Sequence, residues 1–165
     1  MKKILIIGDA GRGKTTLAYK LSEKTGIPHF STDDFYWETK FSKPRDRAEA
    51  IHQIEKIYQE DAWIIEGTTQ WLLKQGFPDA DTIIHLDFKN ILHQWYTILK
   101  RHFTRGDKSL WTTILLLRHV FYKRYSLGYK KNSPTHNDVL KPFVNKVTSI
   151  SSFRELNKYI DNFTV

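Results

Sequence analysis

GDAGRGKT (residues 8–15) decides the fold, because it fits the pattern G-x-x-x-x-G-K-[ST] between an apolar run and a helix-like run. The apolar run, residues 3–7, is short and largely β-branched, which is typical of a strand buried on both faces of a parallel sheet. Residues 16–21 then follow helical spacing. The stretch is therefore predicted to be a phosphate-binding loop that joins a strand to the N-terminus of a helix.

The chemistry of such a loop comes mostly from its main chain, because glycines let several N–H groups converge on a phosphate at the positive end of a helix. Lys14 would reach the β- and γ-phosphates, and the hydroxyl of Thr15 would ligate Mg²⁺. The residues expected to contact the nucleotide are Gly8, Asp9, Ala10, Gly11, Arg12, Gly13, Lys14, Thr15 and Thr16.

The composition indicates one ordinary globular domain spanning residues 1–165. The chain has no cysteine, which excludes disulfides, thiolate metal sites and thiol catalysis. The first strand begins at once and no apolar run has the length of a membrane span, so we expect a cytoplasmic protein without a signal peptide or a membrane partner. The seven histidines show no ligand-like clustering.

Positive charge is concentrated in one region of the chain. Twelve Lys and Arg face two acids between Lys89 and Lys146, a balance of +10 within a total of +8. A kinase lid that closes over phosphates has this character, and so has a surface that binds nucleic acid without sequence preference. Charge alone does not choose between the two.

Strands and helices are predicted to alternate, as in a parallel α/β sheet. Further strands are expected at 29–32, 61–67, 81–87 and 146–150, and helices at 44–60, 90–102 and 109–125, with a turn at 104–107. Pro44 is expected to open the first of these helices. Ser152 and Glu155 have the spacing of a capping box for a helix at the C-terminus.

Two acidic positions follow predicted strands. The carboxyl ends of parallel strands line the ligand crevice, so Asp33 would face the nucleotide and either accept the proton of an attacking hydroxyl or hold Mg²⁺ through water. The alternative for Asp33 and Asp34 is a helix cap or a solvated turn. Glu66 lies where a Walker B carboxylate would hold Mg²⁺. Gly67 indicates either a close approach to ligand or a turn.

These residues resemble the P-loop nucleoside and nucleotide kinases, most closely the small branch described as DNA topology modulation or adenylate-kinase-like proteins. The resemblance covers nearly the whole chain. It rests on the loop at 8–15, on Asp33-x-x-x-Trp37, Pro44-Arg45, Trp63-Ile-Ile-Glu-Gly67, Ala80-Asp-Thr-Ile-Ile-His-Leu-Asp87, Lys100-Arg101 and Arg105-Gly106.

The resemblance implies a P-loop NTPase three-layer α/β sandwich with a five-stranded parallel sheet, ATP and Mg²⁺ as cofactors, and an acceptor site after the second strand. It also implies a helical lid, at about residues 101–135, in which Arg101 and Arg105 neutralise the transferring phosphoryl group. One departure concerns the acceptor. Adenylate kinases place an arginine after the third strand, where this chain has Gln70. A nucleoside monophosphate acceptor would then need Arg45 or Arg47 instead.

The leading hypothesis is therefore an ATP- and Mg²⁺-dependent kinase of a small molecule, with Lys14, Asp33, Arg101 and Arg105 as catalytic residues and Thr15, Glu66 and Asp33 as metal ligands. The second hypothesis is a nucleotide-binding regulator associated with nucleic acid, supported by the basic stretch and its interleaved aromatic residues. A GTPase switch is a weaker third, since Thr148 stands where a guanine-reading aspartate would.

Overall fold

The computed structural model describes residues 1–39, 42–88, 90–105, 110–125, 127 and 134–163, without the side chains of Arg101 and Arg105. The strands are β1 (Lys3–Gly8), β2 (His29–Ser31), β3 (Trp37–Thr39), β4 (Lys43–Pro44), β5 (Trp63–Gly67), β6 (Thr82–Leu86) and β7 (Val147–Ile150). The helices are α1 (Lys14–Thr25), α2 (Thr32–Tyr36), α3 (Arg47–Tyr58), α4 (Gln70–Gly76), α5 (Ile91–Arg105), α6 (Leu110–Arg124), α7 (His136–Leu140), a 3₁₀ helix (Lys141–Lys146) and α8 (Phe153–Asn162).

Five strands form one parallel sheet in the order β2-β5-β1-β6-β7. The register brings Ser31 beside Glu66 and Gly8 beside Leu86. The carboxyl ends of four neighbouring strands therefore lie at one edge, next to the phosphate-binding loop. This is the α/β architecture that the sequence predicts.

Helices cover the sheet on both faces, because the central strands are apolar on both sides. On one face Ile4 and Ile6 pack with residues of α1 and α8 such as Leu17 and Leu156. The other face buries Leu5, Ile7 and Ile65 against side chains from α3, α4 and α7. Strand β1, which leads into the loop, is therefore packed on both faces of the sheet.

Helices α5 and α6 lie side by side and leave much apolar surface in solvent. His102 hydrogen-bonds Thr113 across the pair, and the rings of Trp95 and Phe121 lie 6.2 Å apart. The large exposed side chains on the two helices are Leu92, Tyr96, Leu99, Phe103, Leu110, Trp111, Ile114, Leu115 and Phe121. Within the described residues, no helix is long and apolar enough to cross a membrane.

Two helix starts differ from the sequence predictions. The helix expected from Pro44 begins at Arg47, because Asp46 accepts hydrogen bonds from the next turn as its N-cap, while Pro44 pairs with Trp37 between β4 and β3. The capping box expected at Ser152 is only half formed. Ser152 Oγ accepts from the Glu155 amide, but the Glu155 carboxylate accepts from Ser151 instead of the N-cap amide.

Two further differences concern a predicted turn and the start of α7. The turn expected at 104–107 is wrong at its start, because α5 continues through Arg105, and residues 106–107 lie outside the described part of the chain. A complete capping box that the sequence analysis missed opens α7, where Thr135 and Asp138 cap each other's backbone N–H groups.

Candidate phosphoryl-transfer site

The phosphate-binding loop has the backbone geometry that its glycines suggest. Gly11 and Gly13 have φ values of 76° and 85°, in the left-handed region that favours glycine. A Cβ at Gly8 would lie 2.8 Å from the Leu86 carbonyl oxygen, and one at Gly11 would lie 2.9 Å from Ile98 Cγ1. The loop is packed between β6 and helix α5, and any side chain at these two glycines would push its walls apart.

Helix α5 also holds the loop by a hydrogen bond. Gln94 Nε2 donates to the Ala10 carbonyl oxygen over 2.6 Å, and Gln94 is almost fully buried. Gln94 had no recognisable signal in the sequence, since a polar residue on a helix is ordinarily solvated. Arg101 and Arg105 belong to the same helix, but their side chains lie outside the described residues.

Lys14 lies in the first turn of α1, which starts directly after Gly13. Its Nζ donates to the Asp9 carbonyl oxygen over 3.0 Å. Burial lowers the pKa of this lysine, and the nearby carboxylates of Glu66, Asp9 and Asp33 oppose that shift. Lys14 and the two acids predicted from strand ends, Asp33 and Glu66, are thus close enough in space to interact electrostatically.

Thr15 and Glu66 meet across the loop. Thr15 Oγ1 donates to Glu66 Oε1 over 2.9 Å, and the carboxyl group is 4% exposed at the end of β5. A hydroxyl and a carboxylate held together at a phosphate loop are the oxygen ligands that Mg²⁺ takes alongside phosphates and water. The two residues fit the ion. The described residues contain no group of three or more His, Cys, Asp or Glu that could hold a metal ion.

Asp33 lies in the first turn of α2, directly after β2. Its backbone N–H donates to Ser31 Oγ, so Ser31 is the helix cap, and Asp33 is not. Its side chain is half-buried, whereas that of Asp34 is exposed. Of the two predicted acids, Asp33 is therefore the one placed at the sheet edge beside Lys14.

Gly67 serves packing between the end of β5 and the start of α2. A Cβ at this position would overlap the side chain of Thr32, which is fully buried. The space that the sequence analysis left for a ligand or a turn is filled by the neighbouring segment of the protein. Phe35 and Tyr36, also in α2, pack against the core cluster of that face.

The arginines suggested as substitutes for the adenylate-kinase arginine have other partners. Arg45 donates through Nε and Nη2 to the carbonyl oxygens of Phe35 and Trp37, and through Nη1 to Glu49. It fastens the segment after α2 to α3. Arg47 lies over the ring of Trp71, with 5.1 Å from Cζ to the ring centre.

Arg12 is buried in the loop, 2% exposed. Its guanidinium lies 5.5 Å from the ring centre of Phe88, and its Nε has no hydrogen-bond partner among the described residues. Burial first, and then the charge of Arg124, lowers the pKa of Arg12 to about 10. The side chain of Arg12 therefore packs inside the protein, and the predicted contact with nucleotide would be made by the main chain of Arg12.

A polar cluster that the sequence analysis did not find lies over the other end of the loop. Lys123 Nζ, from the last turn of α6, lies 2.7 Å from Asp9 Oδ1, and His136 Nε2, from the start of α7, lies 3.2 Å from the same oxygen. We call Asp9, Lys123 and His136 the Asp9 cluster. The three residues are up to 127 positions apart, so no local pattern could reveal them.

No protein-family model matches the chain. Among curated proteins, the Bacillus subtilis protein YqaC, itself uncharacterized, is 37% identical over 67 residues, which are 40% of this chain and 38% of that protein. The match thus spans about two fifths of the relative's length.

Solved structures resemble the chain over nearly all of its length. A shikimate kinase from Acinetobacter baumannii in complex with shikimate has a TM-score of 0.56 at 14% identity, covering 96% of this chain and 88% of its own. A gluconokinase from Sinorhizobium meliloti has a TM-score of 0.53 at 11% identity, covering 97% and 87%. Both of these neighbours are kinases, and the chain shares their α/β fold with its five-stranded parallel sheet.

Proposed function

We propose that the protein is a phosphotransferase that uses ATP and Mg²⁺ to phosphorylate a hydroxyl group of a small molecule. The observation that carries the proposal is the meeting of Thr15 and Glu66 at 2.9 Å beside Lys14. Three adjacent strand ends supply the site: Asp33, the candidate base, follows β2, Glu66 lies at the end of β5, and the phosphate loop with Thr15 follows β1.

We assign a role to each residue, from its position for the loop, Glu66 and Asp33 and from the family resemblance alone for Arg101 and Arg105. The loop amides bind the nucleotide phosphates and Lys14 places its charge on the β- and γ-phosphates. Thr15 and Glu66 hold Mg²⁺, which neutralises charge on the phosphates when it is bound. Asp33 orients the acceptor hydroxyl and accepts its proton. Arg101 and Arg105, on the lid, close over the phosphoryl group.

The acceptor belongs on the β2 side of the loop, next to Asp33. Arg45 is hydrogen-bonded to the carbonyl oxygen of Phe35, and Arg47 lies over the ring of Trp71, so both side chains have protein partners in place of a second nucleotide phosphate. This favours an acceptor other than a nucleoside monophosphate. The two named neighbours are called after shikimate and gluconate. Hydroxy acids and polyols of that kind should therefore be screened first. We also propose that the protein acts in the cytoplasm. A further part of the proposal is that the protein belongs to the narrower branch of topology-modulation proteins.

The test is acceptor-dependent formation of ADP from ATP and Mg²⁺ by pure protein. The panel contains shikimate, gluconate, other hydroxy acids and polyols, nucleosides and nucleoside monophosphates. With the acceptor found, Asp33→Asn should lower kcat by about 10²-fold or more, as expected for loss of a general base. Asp34→Asn, one residue away and exposed, is the matched control and should stay within about twofold of the wild type. A panel without any acceleration of ADP formation would refute the kinase.

A second candidate is binding of nucleic acid, favoured by the exposed aromatic residues of α5 and α6. Phe103 and Trp111 are 77% and 67% exposed, and Lys100 and Arg118 are also exposed on these helices. Bases stack on such rings, and the cations attract the backbone. Titration of single- and double-stranded DNA at several salt concentrations, with and without ATP, tests it. Trp111→Ala should weaken single-strand binding by about tenfold, and the absence of binding at low salt would dismiss it.

A further inference from the structure

The Asp9 cluster has no part in the roles proposed so far. Its centre is one carboxylate oxygen, Asp9 Oδ1, on which two groups from the far end of the lid converge. Lys123 Nζ and His136 Nε2 also lie 3.1 Å from each other. A cation and an imidazole thus enclose an anionic oxygen directly above the phosphate-binding loop.

The imidazole of His136 is oriented for this contact. Gln70, at the start of α4, places its Nε2 3.3 Å from His136 Nδ1. A neutral imidazole that accepts a hydrogen bond at Nδ1 carries its proton on Nε2, which then donates to Asp9. Gln70 is the residue that stands where adenylate kinases have an arginine, and here its side chain contacts the imidazole of His136.

The cluster borders a cavity of about 400 Å³. Its lining includes Asp9, Lys123 and His136, and it also reaches His85, Asp87 and Arg124. Lys123 and Asp9 are about one quarter exposed, and His136 is 8% exposed. The donors are therefore partly withdrawn from water yet open to a ligand in the cavity, where a charged hydrogen bond is stronger than at the surface.

The Asp9 carboxylate is strongly held in its charged form. Burial by itself would raise its pKa, but the hydrogen bond from His136 and the charge of Lys123 lower the pKa well below its usual range. To these two donors, Asp9 presents the charge and the oxygen atoms that a bound phosphoryl or carboxylate group would present. A carboxylate in this place also repels any anion that enters the cavity.

We propose that Lys123 and His136 form a binding site for an anionic oxygen group of the ligand, phosphoryl or carboxylate, and that Asp9 fills this site as an internal substitute which the ligand displaces. The inference deepens the proposed kinase and rests on it for the source of the anion. That source is either the γ-phosphoryl group of ATP or an anionic substituent of the acceptor. The alternative is a fixed structural ion pair that ties the lid to the loop.

Inorganic phosphate is the probe for the site, measured by isothermal titration calorimetry. The background is Lys14→Ala, which weakens the competing phosphate site of the loop. In that background Asp9→Asn should tighten phosphate binding by about tenfold, because the internal anion is gone, and Lys123→Gln should weaken it by about tenfold. Lys141→Gln, at an exposed lysine near α7, is the matched control and should change nothing.

A second pair of titrations, with Lys14 intact, identifies the source of the anion. If Asp9→Asn tightens a nonhydrolysable ATP analogue but not ADP, the site takes the γ-phosphoryl group. If it instead tightens phosphate or a small carboxylate in the presence of saturating ADP and Mg²⁺, the site takes the acceptor's anion. Either result supports the site.

The structural ion pair gives a different result. Asp9→Asn and Lys123→Gln would then both lower the melting temperature and leave phosphate and nucleotide affinities unchanged, which overturns the proposal. Lys123→Arg, which keeps the charge, guards against misfolding of the glutamine variant. Failure of the kinase is separate: it would show as no acceptor-dependent formation of ADP by the wild type, while phosphate binding in the Lys14→Ala background could still be measured.

Discussion

The two ends of the phosphate-binding loop are built in different ways. At the Lys14 end, the closely spaced glycines Gly11 and Gly13 and the start of α1 present main-chain groups to a phosphate. At the Asp9 end, side chains from α6 and α7 close over the loop from more than one hundred positions away. The first end depends on backbone geometry that is general to the glycine-rich motif itself. The second depends on how α6 and α7 pack against the loop.

The largest effect should come from breaking the general end. Lys14→Ala removes the charge placed on the β- and γ-phosphates, and we expect acceptor-dependent phosphoryl transfer to fall by about 10³-fold or more. Coupled measurement of ADP formation checks this. Lys20→Ala, at an exposed position on the same helix, should retain near wild-type activity. A Lys14→Ala variant with most of its activity left would show that the loop does not serve phosphoryl transfer.

The contrast also explains what could be predicted from the sequence. The loop, the sheet and the acids at strand ends were predictable, because Gly8–Thr15, residues 63–67 and residues 82–86 each carry their signal within a few neighbours. The partners Thr15 and Glu66 followed from the alignment of parallel strand ends.

Lys123 and His136 could not be predicted in the same way. Lys123 is one of many basic residues in its region, and only the packing of α6 and α7 singles it out. The role of Gly67 was missed for a related reason, since its neighbour Thr32 comes from a different strand-to-helix junction.

The next effect concerns the β2–β5 junction that positions Asp33 and Glu66. Gly67→Ala should lower the free energy of unfolding by about 1 to 3 kcal/mol, because the new methyl group overlaps the buried side chain of Thr32. Urea denaturation measures the change. Thr32→Ala in the same chain should recover part of the loss, since the two substitutions share one space. Strictly additive losses would mean that the strain lies elsewhere.

The smallest effect sharpens the difference between the two ends through pH. The pKa of Asp9 is lower in the folded protein than in the unfolded chain, so its carboxylate stabilises the fold above the unfolded pKa of about 4 and loses that contribution as the pH falls toward the folded pKa. In Asp9→Asn the contribution is absent at every pH. The free energy of unfolding of the wild type should therefore drop more steeply than that of Asp9→Asn between about pH 4.5 and 2.5, by at most about 1.4 kcal/mol per pH unit.

Urea denaturation at several pH values measures the two slopes, and Lys123→Gln separates the causes of the shift. Without the cation, Asp9 loses one cause of its low pKa but keeps the hydrogen bond from His136, so the slope should lie between those of the wild type and Asp9→Asn. Parallel curves for all three proteins would mean that Asp9 is solvated like an ordinary aspartate and that the lid does not rest on the loop in solution. Slopes that decrease from the wild type through Lys123→Gln to Asp9→Asn would show that the electrostatic contact between lid and loop depends on the Asp9 carboxylate. This is the same group that a bound anion has to displace.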